Sequence, residues 1–209
     1  MKLLFKGVFW IIIFIVIFAV IGRIFFFKIG KTDSYSMVPG LIAGDVFLVM
    51  TVGKMGLGDV AVCQNPEHPS SMIVGRIMGV PGTTIEQRGD VFLINNEEIS
   101  HPSVDGSVLY ADNTSGENLE YIASLSPEFL GGHAYEVGIM ERGFRKDLPR
   151  TEVTGGFFLV GDNRNLSRDS RNFGEVPVRS CIGEAMVVLW PSRDSGDFKR
   201  MKRIASWID

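Results

Sequence analysis

The stretch Asp33-Ser34-Tyr35-Ser36-Met37-Val38-Pro39-Gly40 sets two hydroxyls on either side of a single residue. Pro39 disfavours the helical region for Val38, so the segment reads as a loop, and taken alone such a cluster is most simply a turn with satisfied hydroxyls. Acyl transfer by serine needs a general base, donors for the developing oxyanion and a rigid support, and the local sequence does not supply all three. A second stretch, Gly161 to Gly174, follows an apolar run and holds Asp162, Arg164, Ser167, Asp169 and Arg171 among further Asn and Ser residues. Alternating charge and short hydroxyl side chains at this density suit an ion-pair network that fixes a loop, and a solvated polar loop is the plainer alternative. His68, His101 and His133 lie in Pro- or Gly-rich segments and read as ordinary exposed histidines. Cys63 and Cys181 stand far apart in apolar stretches and read as two buried free thiols in preference to a single bridge. No Cys-x-x-Cys or Cys/His cluster suggests a metal site.

These residues have to be positioned by two kinds of material. Of 209 residues, 1–28 contain four Lys/Arg and no acid, which leaves 17 basic against 24 acidic side chains beyond them. A domain carrying about −7 is a poor partner for nucleic acid. From Gly7 to Gly22 no side chain is charged, and 7–27 as a helix spans roughly 31 Å, enough to cross a bilayer with Arg23 reaching toward the headgroups. A cleaved secretory signal is the rival reading, but the run is long for one and no Ala-x-Ala-like site follows it. Positive residues flank both ends, so charge counting does not orient the segment; the very short tail before it favours the domain outside.

Beyond the anchor, short Val-, Ile- and Phe-rich runs recur between turn signals: 45–51, 59–63, 72–78, 83–87, 90–94, 134–140, 156–161 and 181–190. They predict a mainly β fold of hairpins. The expected organisation is a tail at 1–6, a transmembrane anchor at 7–27, a β domain at 28–99 and 134–191, a polar insertion at 100–133 and a basic tail at 192–209. The insertion is expected to carry a helical turn or two around 117–125. The tail, with Lys199, Arg200, Lys202 and Arg203 beside Trp207, suits a membrane surface or a solvated helix with one docked aromatic.

The two chemical stretches, in this order and after an anchor, resemble the bacterial type I signal peptidases, membrane-bound serine endopeptidases that remove signal peptides from exported proteins. The resemblance runs from the anchor to about Pro191 and rests on SYSMVPGLIAGDVFLV (34–49), LGDVAVCQNP (57–66), GRIMGVPGTTIEQRGDVFLINNEEI (75–99) and FFLVGDNRNLSRDSRNFGEVPVRSCIGEAMVVLWP (157–191). It implies a β domain of coiled sheets behind one transmembrane helix. It places the nucleophile at Ser36 and the oxyanion-hole hydroxyl at Ser34, beside the Ser36 N–H. Ser167 falls where the family's serine bonds the general base, and Asp169 and Arg171 where an acid–base pair holds that region. Lys54 matches a lysine common in the family that is not the catalytic one.

One departure stands out. The family's base is a Lys before Arg-x-x-Gly-x-Pro-Gly, and this chain reads Gly75-Arg76-Ile77-Met78-Gly79-Val80-Pro81-Gly82. Glycine has no group to accept a proton, and a guanidinium at Arg76 keeps its own.

Two functions follow from the resemblance. The first is an endopeptidase that cuts exported preproteins after small residues at the bacterial inner membrane, single-pass, with its domain on the outer side and its base still to be found. The second is an inactive homologue that binds signal peptides or a membrane partner. Neither requires a cofactor.

Overall fold

Runs of four to eight apolar residues between Gly, Pro and Asn turns are too short to bury themselves as helices, so they pair as antiparallel strands. The computed structural model describes residues 2–99, 106–112, 119–140, 147–192 and 200–208. Helix α1 (Lys2–Phe26) passes directly into β1 (Phe27–Lys31). There follow β2 (Val46–Met50), β3 (Val60–Gln64), β4 (Met72–Gly79), β5 (Thr84–Arg88), β6 (Val91–Ile94) and β7 (Glu97–Glu98). The remaining strands are β8 (Ser107–Asp112), β9 (Leu119–Leu130), β10 (His133–Met140), β11 (Leu148–Glu152), β12 (Gly156–Val160), β13 (Val176–Pro177) and β14 (Cys181–Trp190), with α2 (Ser170–Phe173) before β13 and α3 (Arg200–Arg203) last.

The fold is mainly β, in three antiparallel sheets ordered β1-β2-β14-β3-β4-β12-β13, β10-β9-β8 and β11-β5-β6-β7. In β2 the side chains alternate, Phe47 and Val49 facing inward and Val46, Leu48 and Met50 half-covered on the other face, as expected of a sheet with one face in the core. Phe47, Val49, Val60, Val62 and Val188 form one core with Met37 and Leu41 of the serine loop. A second core gathers Met78, Ile85, Phe92, Val137, Phe158 and Val160 between the large sheet and the smaller ones.

Several expectations change. Cys63 and Cys181 are not free thiols: they sit opposite one another on β3 and β14 and form a disulfide. The reason is register, which brings together two residues 118 apart in sequence. Leu119–Leu125 is not helical but the first half of β9, paired with β8 on one edge and β10 on the other, so the 100–133 segment contributes a sheet. Its polar composition concealed a strand whose burial is uneven: Ile122 and Ser124 are exposed, whereas Ser126 and Glu128 further along the same face are buried. Phe27 is strand, and the helix begins at Lys2 within the expected tail.

The C-terminal tail is no loose appendage. Ala205, Ser206 and Ile208 exchange backbone hydrogen bonds with Val188 and Met186, in the part of β14 that lies beyond its register with β3. Ile208 is what docks, in the core, whereas Trp207 is exposed. Arg203 is buried on Asp45, Nη2–Oδ2 2.7 Å, instead of solvated.

At its domain end α1 is fastened by Thr51, whose N–H and Oγ1 donate to Phe26 O and Phe25 O. Phe14 and Phe18 are 71% and 70% exposed. Among the described side chains, which in α1 run unbroken over residues 7–18, no helix is long and apolar enough to cross a membrane.

Candidate functional site

The loop between β1 and β2 is held at both ends. Thr32 N–H donates to Asp45 O and Gly44 N–H to Thr32 O, while the fully buried Asp45 carboxylate accepts from Ile42 N–H, Ser192 N–H and Arg203. Within it Tyr35, Met37, Val38, Leu41 and Ile42 point into the protein. Burial of Tyr35 and Met37 turns Ser34 and Ser36 outward, leaving Ser34 exposed and Ser36 half-buried. The Ser36 N–H donates to Ser34 Oγ at 3.1 Å, so the two groups named for an oxyanion hole are neighbours that now satisfy each other.

The second stretch grips this loop from behind. Asn163 N–H donates to Ser36 O at 2.9 Å, and Asn163 Nδ2 to Tyr35 O at 3.1 Å. Gly161 admits no side chain: a Cβ there would collide with both Ser167 Oγ and Ser36 O. Ser167, Gly161 and the Ser36 backbone are therefore packed against one another, and glycine is required by that close approach.

Asp162, Arg164, Asp169 and Arg171 are buried and paired, the first two with partners outside the stretch, while Arg168 is exposed. Asp162 accepts Arg76 Nε at 2.9 Å and Nη2 at 2.7 Å. Arg76 also donates from Nη1 to Gly58 O and lies over the Tyr135 ring, 3.6 Å from its centroid. Burial works against the Arg76 charge, but Asp162 more than compensates and holds its pKa above the ordinary value. Arg164, also buried, meets Glu128 at 2.6 Å and stacks on Phe92; burial again opposes the charge, and Glu128 turns the net shift upward. Burial, then Glu128, pushes the Tyr135 phenol far up. Only Asp169 and Arg171 pair within the stretch, through Nε–Oδ1 at 2.8 Å and Nη2–Oδ2 at 2.7 Å. Asp169 also caps α2 and accepts from Gly161 N–H at 2.9 Å. Sequence reasoning missed Glu128, Asp45 and Arg203; Glu128 lies in the stretch read as a polar insertion, and Arg203 is 158 residues from its partner.

Gly75 sits buried on β4 opposite Ala61 of β3, next to Arg76. A Cβ at this position would lie 3.0 Å from Leu159 Cβ on β12. The place of the expected lysine thus holds no proton acceptor, and its flank is filled by Leu159.

Ser34 and Ser36 open onto a groove of about 650 Å³. Its floor is apolar, with Val62 of β3, Val74 of β4 and Ile182 of β14. Its polar rim includes His68 and Arg168. Lys54 is exposed on the turn after β2 and does not line the groove; His133 is engaged with Asp59 at 3.1 Å; His101 lies outside the described residues. Among the described residues no group of His, Cys, Asp or Glu is arranged to hold a metal ion. An exposed hydroxyl beside a backbone N–H, on a doubly braced loop over a groove with an apolar floor and a polar rim, is an arrangement in which a hydroxyl can attack a carbonyl.

The family described as signal peptidase, peptidase S26, matches residues 5–190. The chain is 28% identical over 189 residues to a signal peptidase I of Streptococcus pneumoniae, covering 85% of this chain and 89% of that protein. It is 28% identical over 234 residues to a signal peptidase I of Pseudomonas fluorescens, covering 94% and 76%. Among solved structures, a signal peptidase I from Enterococcus faecalis is similar at 25% identity with a TM-score of 0.37, covering 64% of this chain and 97% of that one.

Proposed function

The chain belongs to the signal peptidase family, peptidase S26, and from that premise we propose that it cleaves signal peptides from exported preproteins with Ser36 as nucleophile. The observation that carries this reading is the placement of Ser36: half-buried, on the groove, with its carbonyl clamped by Asn163 N–H and its own N–H beside Ser34 Oγ. Attack by Ser36 Oγ on the scissile carbonyl generates an oxyanion that the Ser36 N–H and a rotated Ser34 hydroxyl stabilise, by roughly 3 kcal/mol per donor. Ser167 supports the serine backbone, and Asp162, Arg164, Asp169 and Arg171 hold that support in place. Shallow apolar walls favour small side chains before the cut, as the family resemblance implies.

A membrane tether supports the same reading. Phe14, Phe18 and other described side chains of α1 are exposed, and Ile29, Leu48, Val187 and Trp207 stand in register across the large sheet. Trp190 is exposed on the same sheet, and indole rings favour the lipid interface. The Cys63–Cys181 disulfide suits an oxidising compartment, which favours the outer side of the bacterial inner membrane.

A second reading, an inactive homologue that holds signal peptides without cutting them, is favoured by one observation, the filled flank of Gly75. Full-length protein in detergent, incubated with a preprotein, separates the two. The peptidase reading expects cleavage by the native chain that Ser36→Ala abolishes. Signal-peptide capture with no cleavage by either the native chain or Gly75→Lys would establish the binding reading instead.

A further inference from the structure

With no acceptor at Gly75, a base for Ser36 has to come from another element. Five titratable side chains share the groove with it: Lys31, Asp33, Glu67, His68 and Arg168. Glu67 and Arg168 are committed to each other through a two-pronged pair, Nε–Oε2 2.7 Å and Nη2–Oε1 2.6 Å. Lys31 and Asp33 stand exposed at the end of β1 and just beyond it, and of the side-chain types left histidine is the one most often used as a general base. An imidazole both takes and releases a proton near neutral pH.

His68 stands on a well-braced turn. Asn65 Oδ1 accepts from Glu67 N–H at 2.9 Å and His68 N–H at 3.3 Å, and Ser71 N–H and Oγ donate to His68 O at 2.9 and 3.0 Å. The Glu67–Arg168 pair then ties this turn to the loop bearing Ser167, whose Oγ packs against Gly161 together with the Ser36 carbonyl. A chain of contacts thus links the His68 turn to the nucleophile.

We propose that His68 is the general base of the site, resting on the reading of Ser36 as nucleophile. With a peptide in the groove, the imidazole takes the Ser36 Oγ proton as the Oγ–carbon bond forms. The imidazolium then gives that proton to the departing amine as the C–N bond breaks, leaving an acyl-enzyme that water hydrolyses by the same exchange. Glu67 and Arg168 act as positioning residues.

The test is preprotein cleavage by the full chain in detergent, following kcat and KM from about pH 5 to 8. His68→Ala is expected to lower kcat by about 10²–10⁴-fold with KM little changed, to lose the acidic limb of the profile and to regain rate with added imidazole. Lys31, Asp33, Glu67 and Arg168 are the charged groups that face the same groove and set the position of that limb. Rescue by imidazole would not accompany a merely structural loss, and thermal unfolding checks that the exposed substitution leaves the fold intact. Ser36-dependent cleavage that His68→Ala leaves within about twofold overturns the proposal while sparing Ser36. So does a native chain that is inert until Gly75→Lys is introduced. Cleavage undiminished in Ser36→Ala overturns the reading on which both rest.

Discussion

The backbone N–H of Ser36 donates to the hydroxyl of Ser34 across 3.1 Å, so the two proposed oxyanion donors hold each other in the absence of substrate. For both groups to serve an oxyanion, the Ser36 N–H has to leave Ser34 Oγ and the Ser34 O–H has to point at the same oxygen. Ser34→Ala should therefore lower kcat by about 10²-fold or more, with a smaller effect on KM, because the lost interaction belongs to the transition state. Steady-state cleavage of a preprotein or a short signal-peptide substrate measures both.

Arg76 and Asp162 are fully buried and doubly hydrogen-bonded. Asp162→Ala leaves the guanidinium without its carboxylate in the core and should cost about 3–5 kcal/mol. Replacing both partners by apolar residues should cost less than the sum of the single changes. Urea unfolding of the four proteins gives the coupling directly.

The Cys63–Cys181 bridge crosses two strands whose neighbours Val62 and Ile182 line the groove. Cys63→Ala with Cys181→Ala should destabilise the domain by about 2–4 kcal/mol. The same loss should follow addition of a reductant to the native chain and should be absent in the double variant. Thermal melts with and without dithiothreitol test this.

Glu184 lies on β14 partly out of water, and burial, reinforced by Asp59, raises its pKa despite the opposing His133. A carboxyl whose folded pKa is raised favours folding below its unfolded value of about 4.3 and loses that contribution as pH rises through the folded one. At neutral pH its ionised form is therefore a burden on the fold. Glu184→Gln should raise the Tm near pH 7 and make no difference below about pH 4. A melt series across that range showing the gain largest in acid would refute this account.

The local signals in the chain were strong where the physics is local. Alternating or saturated apolar runs between Gly, Pro and Asn turns predicted β2, β3, β4, β5, β6, β10, β12 and β14 within a residue or two, since side-chain period and turn chemistry act over a few positions. The Ser34–Gly40 and Gly161–Gly174 stretches, each by itself most simply a loop, carried the resemblance only through their order and co-occurrence, and the family they resemble is the one the chain belongs to.

Tertiary structure alone decided which charges meet. Asp162, just past β12, reaches back 86 residues to Arg76 because β12 pairs with β4, whereas Arg164 meets Glu128 of β9 and Asp45 meets Arg203 of α3 through the packing of separate elements that no local pattern connects. Register likewise joined Cys63 to Cys181 and paired a polar stretch as β8 and β9. The sequence by itself determined that position 75 lacks a lysine. Only the packing of β4 on β12 showed that Leu159 has taken up the flank of that position, and only the groove put His68 on the same surface as Ser36.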